Sequence, residues 1–240
     1  MKELVRNSPH SNGITTLNDM DKRCFIKSSF GTGSENLGNE MAGFQWYMER
    51  HPSKIIKPGD YSIRYGNDGK YVRFFIKDYK GEKISPYAVI EKKLYFIYAL
   101  IDHYFLVWNR QDYLDKYPIH GDYSVGNCVL KNGEIIVFDW EHFCKDFAPF
   151  GFDIVNLYYE NIFFAIGRRE NIKKAHINIF KKLKLSIMGK LKNPLDFKVD
   201  LKYLQNYLTD NCQHWGISFK KLPVLQFSSK HINLLNKLDL

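Results

Sequence analysis

The spacing of apolar and polar positions predicts short strands in the first third of the chain. Residues 14–30 (ITTLNDMDKRCFIKSSF) are typical of two strands joined by a polar turn, because apolar and β-branched residues flank a run of Asn, Asp and Lys. Tyr71–Ile76 is rich in aromatic and branched residues and predicts a strong strand. Turn-rich sequence between residues 51 and 70 surrounds shorter candidates near Ile55 and at Tyr61–Tyr65. We therefore expect a small β-sheet in this region.

Apolar residues recur at helical spacing over residues 39–50 and through most of the chain after residue 87. One hairpin interrupts this pattern, with strands at Cys128–Leu130 and Ile135–Phe138 around the turn Lys131-Asn132-Gly133. The predicted helices are Asn39–Arg50, about Tyr87–Trp108, a stretch that carries Ile172, Ile179, Leu183 and Ile187, Lys198–Asp210, and Pro223–Leu238. The chain is thus rich in strands early and rich in helices late.

A polar segment at Asp78–Lys83 (DYKGEK) separates the two parts and is the first candidate for a domain boundary. The segregation of strands from helices predicts an α+β fold. We expect one domain over residues 1–80 and a second, mainly helical one over residues 81–240.

Composition and charge narrow the class of protein. Of the 240 residues, 45% are hydrophobic and 25% are charged, which is typical of a folded globular chain. The net charge of +9 permits anionic partners such as nucleic acid, acidic membranes or nucleotide phosphates, but selects none of them. Basic clusters at Lys173-Lys174 and Lys181–Lys184 indicate a solvated helix face, with a surface for anionic lipid, glycan or nucleic acid as the alternative. No nucleic-acid-binding motif accompanies them, so we expect no nucleic-acid partner.

Cysteine spacing and hydropathy argue against a zinc site and a membrane span. The four cysteines, at positions 24, 128, 144 and 212, form no CxxC motif. The first residues lack the apolar core of a signal peptide. The most apolar stretch, Leu94–Trp108, is too short for a span and contains Asp102 and His103. We expect a soluble, reduced, cytoplasmic protein, and the sequence favours no oligomeric state.

The residues between His120 and Glu141 carry the most specific chemistry. His120-Gly121-Asp122 is followed five residues later by Asn127, and the next hairpin ends in Phe138-Asp139-Trp140-Glu141. Phosphoryl transfer needs a carboxylate to orient or deprotonate an attacking hydroxyl, and oxygen ligands for Mg²⁺ on the nucleotide phosphates. Asp122 can be that base, while Asn127 and Asp139 can supply metal ligands. This combination is more specific than any of its parts.

The segment HGDYSVGNCVL…IIVFDWE resembles the catalytic segment of the aminoglycoside phosphotransferase and choline kinase family. The resemblance implies a protein-kinase-like two-lobed fold, with a small β-rich N-lobe and a mainly helical C-lobe. It implies that Asp122 is the catalytic base and that Asn127 and Asp139 are Mg²⁺ ligands. It also gives His120 and Asp153 structural roles, with Asp153 capping a helix and anchoring the loop. Ser124 stands about where the family usually has a second His.

The same resemblance extends more weakly towards the amino terminus. Arg23–Ser29 (RCFIKSS) is similar to the strand that carries the family's phosphate-binding lysine, here Lys27, and Glu40 matches the glutamate that pairs with it. Residues 71–85 resemble the strand and hinge that bind adenine. The implied nucleotide contacts are backbone groups around four consecutive residues: Ile76, Lys77, Asp78 and Tyr79. ATP is the implied phosphoryl donor, with GTP as the alternative nucleotide.

One departure from the family pattern lies before Lys27. Only 26 residues precede it, and no G-x-G-x-x-G is present, so the N-lobe is predicted to be trimmed to about two strands before or around the lysine strand. A short turn or the Gly31–Gly33 loop would then cover the phosphates. The leading hypothesis is an ATP- and Mg²⁺-dependent kinase of a small molecule or glycan. A catalytically degenerate kinase fold that binds nucleotide or a protein partner is the alternative.

Three further points bear on the class of enzyme and its substrate. A protein kinase is disfavoured, because HGD and DWE replace the HRD and DFG motifs. Aromatic residues in the later helices, where the family lines its acceptor pocket, are better explained as core packing; these are Tyr158, Tyr159, Phe163 and Phe164. A net charge of +9 favours a neutral or anionic acceptor, such as a sugar, over a cationic aminoglycoside.

Overall fold

The structure is a computed structural model of the chain. It describes residues 2–7, 14–30, 33–51, 56–57, 59–66, 71–110, 115–167, 172–211 and 222–240. These residues confirm the predicted mixture of a small β-sheet region with several helices. They group into two compact units: the first comprises Met1–Glu82 and Val129–Phe143, and the second comprises Lys83–Cys128 and Cys144–Leu240. The predicted division placed residues 129–143 with the helical part, whereas here they group with the sheet.

The first unit is built on an antiparallel five-stranded sheet with the order β1-β2-β3-β5-β4. Its strands are β1 (Lys2–Asn7), β2 (Ile14–Asp19), β3 (Cys24–Phe30), β4 (Tyr61–Tyr65) and β5 (Tyr71–Lys77). Two strands, β1 and β2, precede the lysine strand β3, which agrees with the predicted number of about two. β1 was missed because its sequence, KELVRN, is mostly polar. The predicted strand near Ile55 and the residues Gly31 and Thr32 lie outside the described residues.

One helix and one hairpin complete the first unit. Helix α1 (Gly33–Arg50) packs on β3 and β5 and begins six residues before the predicted start at Asn39. Strands β7 (Cys128–Lys131) and β8 (Glu134–Val137) form the predicted hairpin. Asn132 and Gly133 have φ angles of 53° and 80°, as a two-residue hairpin turn of the I′ type requires.

The second unit is mainly helical. It contains α2 (Ile90–Val107), β6 (Tyr117–Ile119), β9 (Cys144–Ala148), α3 (Phe152–Ile166), α4 (Lys174–Lys190), α5 (Leu201–Asn211) and α6 (Ser229–Leu238). Strands β6 and β9 pair antiparallel. Helix α3 is buried along most of its length and contacts α2, α4 and α5, so it forms the centre of this unit.

Several predicted helix bounds were wrong for local reasons. Helix α2 begins at Ile90 because Pro86 and Tyr87 form a turn. The predicted helix over Pro223–Leu238 is a 3₁₀ turn followed by α6, whose start is fixed by a reciprocal cap between Ser228 and His231. Helix α4 contains Ile179, Leu183 and Ile187 as predicted, whereas Ile172 lies before its start. The buried face of α4 consists of His176, Phe180, Leu183 and Ile187. Within the described residues, no helix is both long and apolar enough to cross a membrane.

Candidate functional site

An ionic cluster in the first unit joins three residues that are far apart in the sequence. The ammonium of Lys27, on β3, contacts Glu40 Oε2 at 2.5 Å and also forms an ion pair with Asp139 Oδ1. The side chain of Glu40 is fully buried, that of Lys27 is 11% exposed, and that of Asp139 is 24% exposed. The structure therefore brings together the predicted phosphate-binding lysine, its glutamate partner and the principal predicted Mg²⁺ ligand.

Helix α1 positions Glu40 by packing closely against the residues that follow β8. A Cβ atom at Gly43 would lie 2.7 Å from Phe143 Cβ and 2.8 Å from Trp140 Cβ, so only glycine fits at this contact. The ring of Tyr47, one turn further along α1, lies 5.2 Å from that of Trp140. Glu40 lies one helical turn before Gly43, and Asp139 directly precedes Trp140. The close packing of Gly43 on Trp140 therefore helps to set the distance between Glu40 and Asp139.

The β7–β8 hairpin positions Asp139. The hydroxyl of Tyr47 donates to Ile135 O at 3.1 Å and accepts from Val137 N–H at 3.3 Å, which ties β8 to α1. Asp139 itself has φ 63° and ψ 53°, a left-handed conformation that is uncommon outside glycine. A short 3₁₀ turn, Trp140–His142, begins directly after it. The left-handed residue therefore ends the strand and redirects the chain into that turn.

The cluster contains more negative than positive charge. Burial alone would lower the pKa of Lys27, but the attraction of Asp139, Glu40 and Glu141 outweighs it and raises that pKa. Burial raises the pKa of Glu40 to about 7, against the attraction of Lys27. One ammonium faces the three carboxylates of Glu40, Asp139 and Glu141, so burial of Glu40 favours its protonated form. Glu40 Oε1 is buried and has no hydrogen-bond partner among the described residues.

The predicted adenine-binding residues lie at the end of β5 and just after it. Ile76 is buried in the sheet between β3 and β4, opposite Phe25 and Tyr61. The backbone N–H of Lys77 donates to Asp60 O, and that of Asp78 donates to Arg23 O, both at 2.8 Å. These two N–H groups already donate hydrogen bonds within the unit. They are therefore not available to bind the adenine ring of a nucleotide.

Two aspartates, Asp60 and Asp78, contact the side chains of this segment. Asp60 accepts from Lys77 Nζ at 3.0 Å and from the Tyr79 hydroxyl at 2.7 Å. Burial, with added effect from Asp60, raises the pKa of Tyr79. Asp78 is buried and forms an ion pair with Lys80. These contacts hold the segment after β5 in one conformation.

In the second unit, the loop after β6 carries Asp122 and is anchored by a single carboxylate. Asp153, in the first turn of α3, accepts from the backbone N–H of His120 at 2.8 Å and of Gly121 at 3.0 Å. The backbone N–H of Asp122 then donates to His120 Nδ1 at 3.2 Å. Gly121 has a φ of 86°, which favours glycine at this bend. Asp153 thus fixes the path of the chain directly before Asp122.

Asp153 anchors the loop as the resemblance implied, but the predicted helix cap is wrong. The N-cap residue of α3 is Gly151, and no side-chain cap is seen there within the described part of the chain. Both carboxylate oxygens of Asp153 face the loop instead. Burial raises the pKa of Asp153 to about 7, although the two N–H donors favour its charged form.

Asn127 lies against Asp122 on the same loop. Its Nδ2 group donates to the carboxylate Oδ2 of Asp122 at 2.8 Å and to its backbone carbonyl at 2.9 Å. Because both partners are acceptors, the amide orientation is fixed, and Oδ1 of Asn127 faces away from Asp122 as an oxygen ligand. Asn127 therefore orients the predicted base while keeping the atom type that Mg²⁺ prefers.

A second pair of charged residues near Asp122 was missed by the sequence analysis. Lys93 on α2 is buried, and its ammonium donates to Pro86 O at 2.7 Å. Burial lowers the pKa of Lys93 to about 8, against the attraction of Glu160. Glu160 on α3 is also buried, which together with the charge of Asp122 raises its pKa well above the usual range. Lys93 ends a run of three charged residues, Glu91–Lys93, and Glu160 follows two tyrosines, so neither local sequence indicates a buried ionisable group.

The aromatic residues of α3 are divided between core and surface. Tyr158 and Tyr159 are buried, as core packing predicts. Phe164 is half-buried; its ring lies 5.0 Å from that of Tyr87 and 5.7 Å from the Lys93 ammonium.

Among the described residues, no group of three or more His, Cys, Asp and Glu side chains could hold a metal ion by itself. Any Mg²⁺ held here would need an amide or ligand oxygens as well as carboxylates.

Comparison with models of known protein families gives no match, and none of the curated proteins matches the chain. The resemblance to the phosphotransferase family therefore rests on the motif residues themselves. Of the predicted site residues, the structure joins Lys27, Glu40 and Asp139 in the first unit, and Asp122 and Asn127 in the second.

Proposed function

We propose that the protein is an ATP-dependent phosphotransferase that transfers the γ-phosphoryl group to a hydroxyl of a small molecule or glycan, with Mg²⁺. A protein-kinase-like fold, with the first unit as its β-rich lobe and the second as its helical lobe, belongs to the same proposal. The observation that carries it is the ionic cluster of Lys27, Glu40 and Asp139, whose members come from a strand, a helix and a hairpin. Phosphate binding next to a metal ligand needs this combination of charges.

The cluster supports a role in binding nucleotide phosphates. In this structure the single positive charge of Lys27 is shared between two carboxylates. Nucleotide phosphates would offer Lys27 a more highly charged partner, which would release an oxygen of Asp139 to act as a ligand. When bound, Mg²⁺ neutralises charge on the phosphates during transfer. Asp139 and the Oδ1 atom of Asn127 are the proposed protein ligands, and both are hard oxygen donors.

The loop after β6 supports a role in activating the acceptor. Asp122 is the proposed base, which orients an acceptor hydroxyl and takes its proton as the phosphoryl group is transferred. The hydrogen bond from Asn127 Nδ2 holds the carboxylate in one orientation. Positioning and charge neutralisation, rather than covalent chemistry, would supply most of the rate enhancement.

A screen of ATP consumption against sugars, amino alcohols and aminoglycosides tests this proposal. With an active acceptor, we expect Asp122→Asn to lower turnover by at least about 10²-fold, because the acceptor hydroxyl loses its base. Product should be verified as the phosphorylated acceptor, and nucleotide binding should barely change. Asp146→Asn, at an exposed aspartate on β9, is the matched control and should retain full activity.

Turnover by Asp122→Asn close to that of the original chain would contradict the assignment of Asp122. Nucleotide binding without phosphoryl transfer to any acceptor class would favour the alternative, a degenerate kinase fold that only binds.

A further inference from the structure

Helix α4 has two faces of opposite character. His176, Phe180, Leu183 and Ile187 lie on one side and are buried. On the opposite side lies a stripe that we call the lysine–leucine face. It consists of Lys174, Lys181, Leu185 and Met188, at intervals of seven, four and three residues, and the exposed Lys182 flanks it. The residues of this face point away from the core of their own unit.

Large apolar side chains on this face are exposed. Leu185 is 69% exposed and Met188 is 48% exposed. Met188 lines two shallow cavities, one of about 230 Å³ with Leu185 and Lys181, and one of about 370 Å³ with Leu191 and Pro194. Lys184 and the exposed Asp239 also line the smaller cavity, so charged groups border the two apolar side chains. Leu185 and Met188 form a short apolar strip on the helix surface, and adjacent exposed apolar side chains favour contact with another surface.

The surroundings of this strip are strongly basic. The sequence of α4 contains five lysines and no Asp or Glu. Two of the lysines form ion pairs within the unit: Lys184 with Asp239 at 3.4 Å, and Lys190 with Asp102 at 3.1 Å. Lys181 and Lys182 are exposed and make no ion pair with the described part of the chain. The face thus combines apolar contact area with positive charge that is not neutralised locally.

The exposed lysines and apolar side chains together favour one of three possible partners for the lysine–leucine face. A second copy of the chain would place lysines against lysines, which is unfavourable. Nucleic acid would use the positive charge but would gain little from exposed Leu and Met side chains. An anionic bilayer uses both, because lysines attract the headgroups while apolar side chains enter the boundary between headgroups and acyl chains.

We propose that the lysine–leucine face of α4 docks the protein on the surface of an anionic phospholipid membrane. The contact is peripheral: the helix lies along the surface, with Leu185 and Met188 towards the acyl chains and Lys181 and Lys182 at the headgroups. This inference does not depend on phosphoryl transfer. It would confine any activity of the chain to acceptors at a membrane surface.

Co-sedimentation with lipid vesicles tests this proposal. The full chain should sediment with phosphatidylcholine vesicles that contain phosphatidylglycerol, but not with pure phosphatidylcholine vesicles, and high salt should weaken binding. Lys181→Glu/Lys182→Glu should lower the partition coefficient by at least about tenfold, because four units of charge change at the headgroups. The control Lys92→Glu/Lys145→Glu makes the same change in net charge at exposed lysines elsewhere in the second unit and should bind nearly as the original chain does.

The apolar contribution has its own pair of variants. Leu185→Asp should lower partition several-fold, whereas Leu106→Asp, at a leucine that is 61% exposed on α2, should not. Circular dichroism melting of every variant separates lost binding from lost folding. The proposal is wrong if the chain ignores anionic vesicles, if both lysine pairs matter equally, or if it binds an RNA oligonucleotide but no vesicle.

Discussion

Two buried carboxylates, one in each unit, hold their surroundings in different ways. Glu40 in the first unit contacts the ammonium of Lys27, and its other oxygen has no hydrogen-bond partner among the described residues. Asp153 in the second unit accepts from two backbone N–H groups, so both of its oxygens are used. The first arrangement depends on charge and can change its partners. The second depends on backbone geometry and fixes a loop.

These two kinds of contact suit different roles, one in ligand binding and one in folding. A carboxylate that is paired with a lysine side chain can respond to a ligand, because the lysine can turn to a new anion. A carboxylate bound to backbone groups cannot be removed without leaving buried donors unsatisfied. We therefore expect changes at Asp153 to affect stability most, and changes around Glu40 to affect nucleotide binding most.

The largest expected effect on stability comes from Asp153→Ala. The change leaves the N–H groups of His120 and Gly121 buried without an acceptor, which should lower the free energy of unfolding by about 2–5 kcal/mol. Urea denaturation of both proteins measures it. Asp102→Ala, which removes an aspartate whose side chain is 72% exposed, is the control and should change stability by less than about 1 kcal/mol. Equal losses in the two variants would show that Asp153 is not an anchor.

The contact that sets Glu40 beside Asp139 can be tested with two glycines of the same helix. Gly43→Ala would force its new methyl group into Trp140 and Phe143 and should cost about 1–3 kcal/mol of stability. Gly38→Ala meets no atom within 4 Å and should instead stabilise the chain by about 0.5–1 kcal/mol, since alanine favours helix. Thermal or urea unfolding gives both values. If the two substitutions had the same sign, α1 would not pack as described.

A smaller effect is expected in the pH dependence of stability. The pKa of Glu40 is raised from 4.5 to about 7 in the folded chain, so the folded state binds more protons than the unfolded state between these values. The stabilisation from this proton is complete below pH 4.5 and is lost as the pH rises through 7. Glu40→Gln cannot titrate and should show a loss of stability between pH 5 and 7 that is smaller by up to about 2 kcal/mol. Identical pH profiles would mean that Glu40 is ionised throughout this range.

The sequence predicts those parts of the fold whose signals are local. The Asn132-Gly133 turn, the two strands within residues 14–30 and the helical spacing in α2 each depend on neighbouring residues, and each of these elements is present as predicted. Strand β1 was missed because its residues are polar and the neighbouring β2 supplies its pairing. Local sequence also cannot indicate that α1 begins at Gly33, within a stretch rich in Gly, Ser and Asn.

In the candidate site, too, some contacts are predicted from the sequence and others are not. Motif spacing predicts that Asp122 and Asn127 lie together, because five residues on one loop keep them close. The family resemblance implies a pair between Lys27 and Glu40, and in the structure Lys27 Nζ lies 2.5 Å from Glu40 Oε2. By contrast, the burial of Lys93 and Glu160 arises where helices far apart in sequence meet. Their altered pKa values depend on that packing, so no pattern within either helix predicts them.

The central claim is that the Lys27–Glu40–Asp139 cluster binds nucleotide phosphates together with Mg²⁺. It is tested most directly by the melting temperature at millimolar ATP, measured once with Mg²⁺ and once with EDTA. Ligands that bind only the folded state raise this temperature. The original chain should melt higher with Mg²⁺ than with EDTA, and Asp139→Asn should lose that difference, whatever its own melting temperature without ligand. An equal effect of ATP on both proteins, with or without Mg²⁺, would contradict a phosphoryl-transfer site at Asp139.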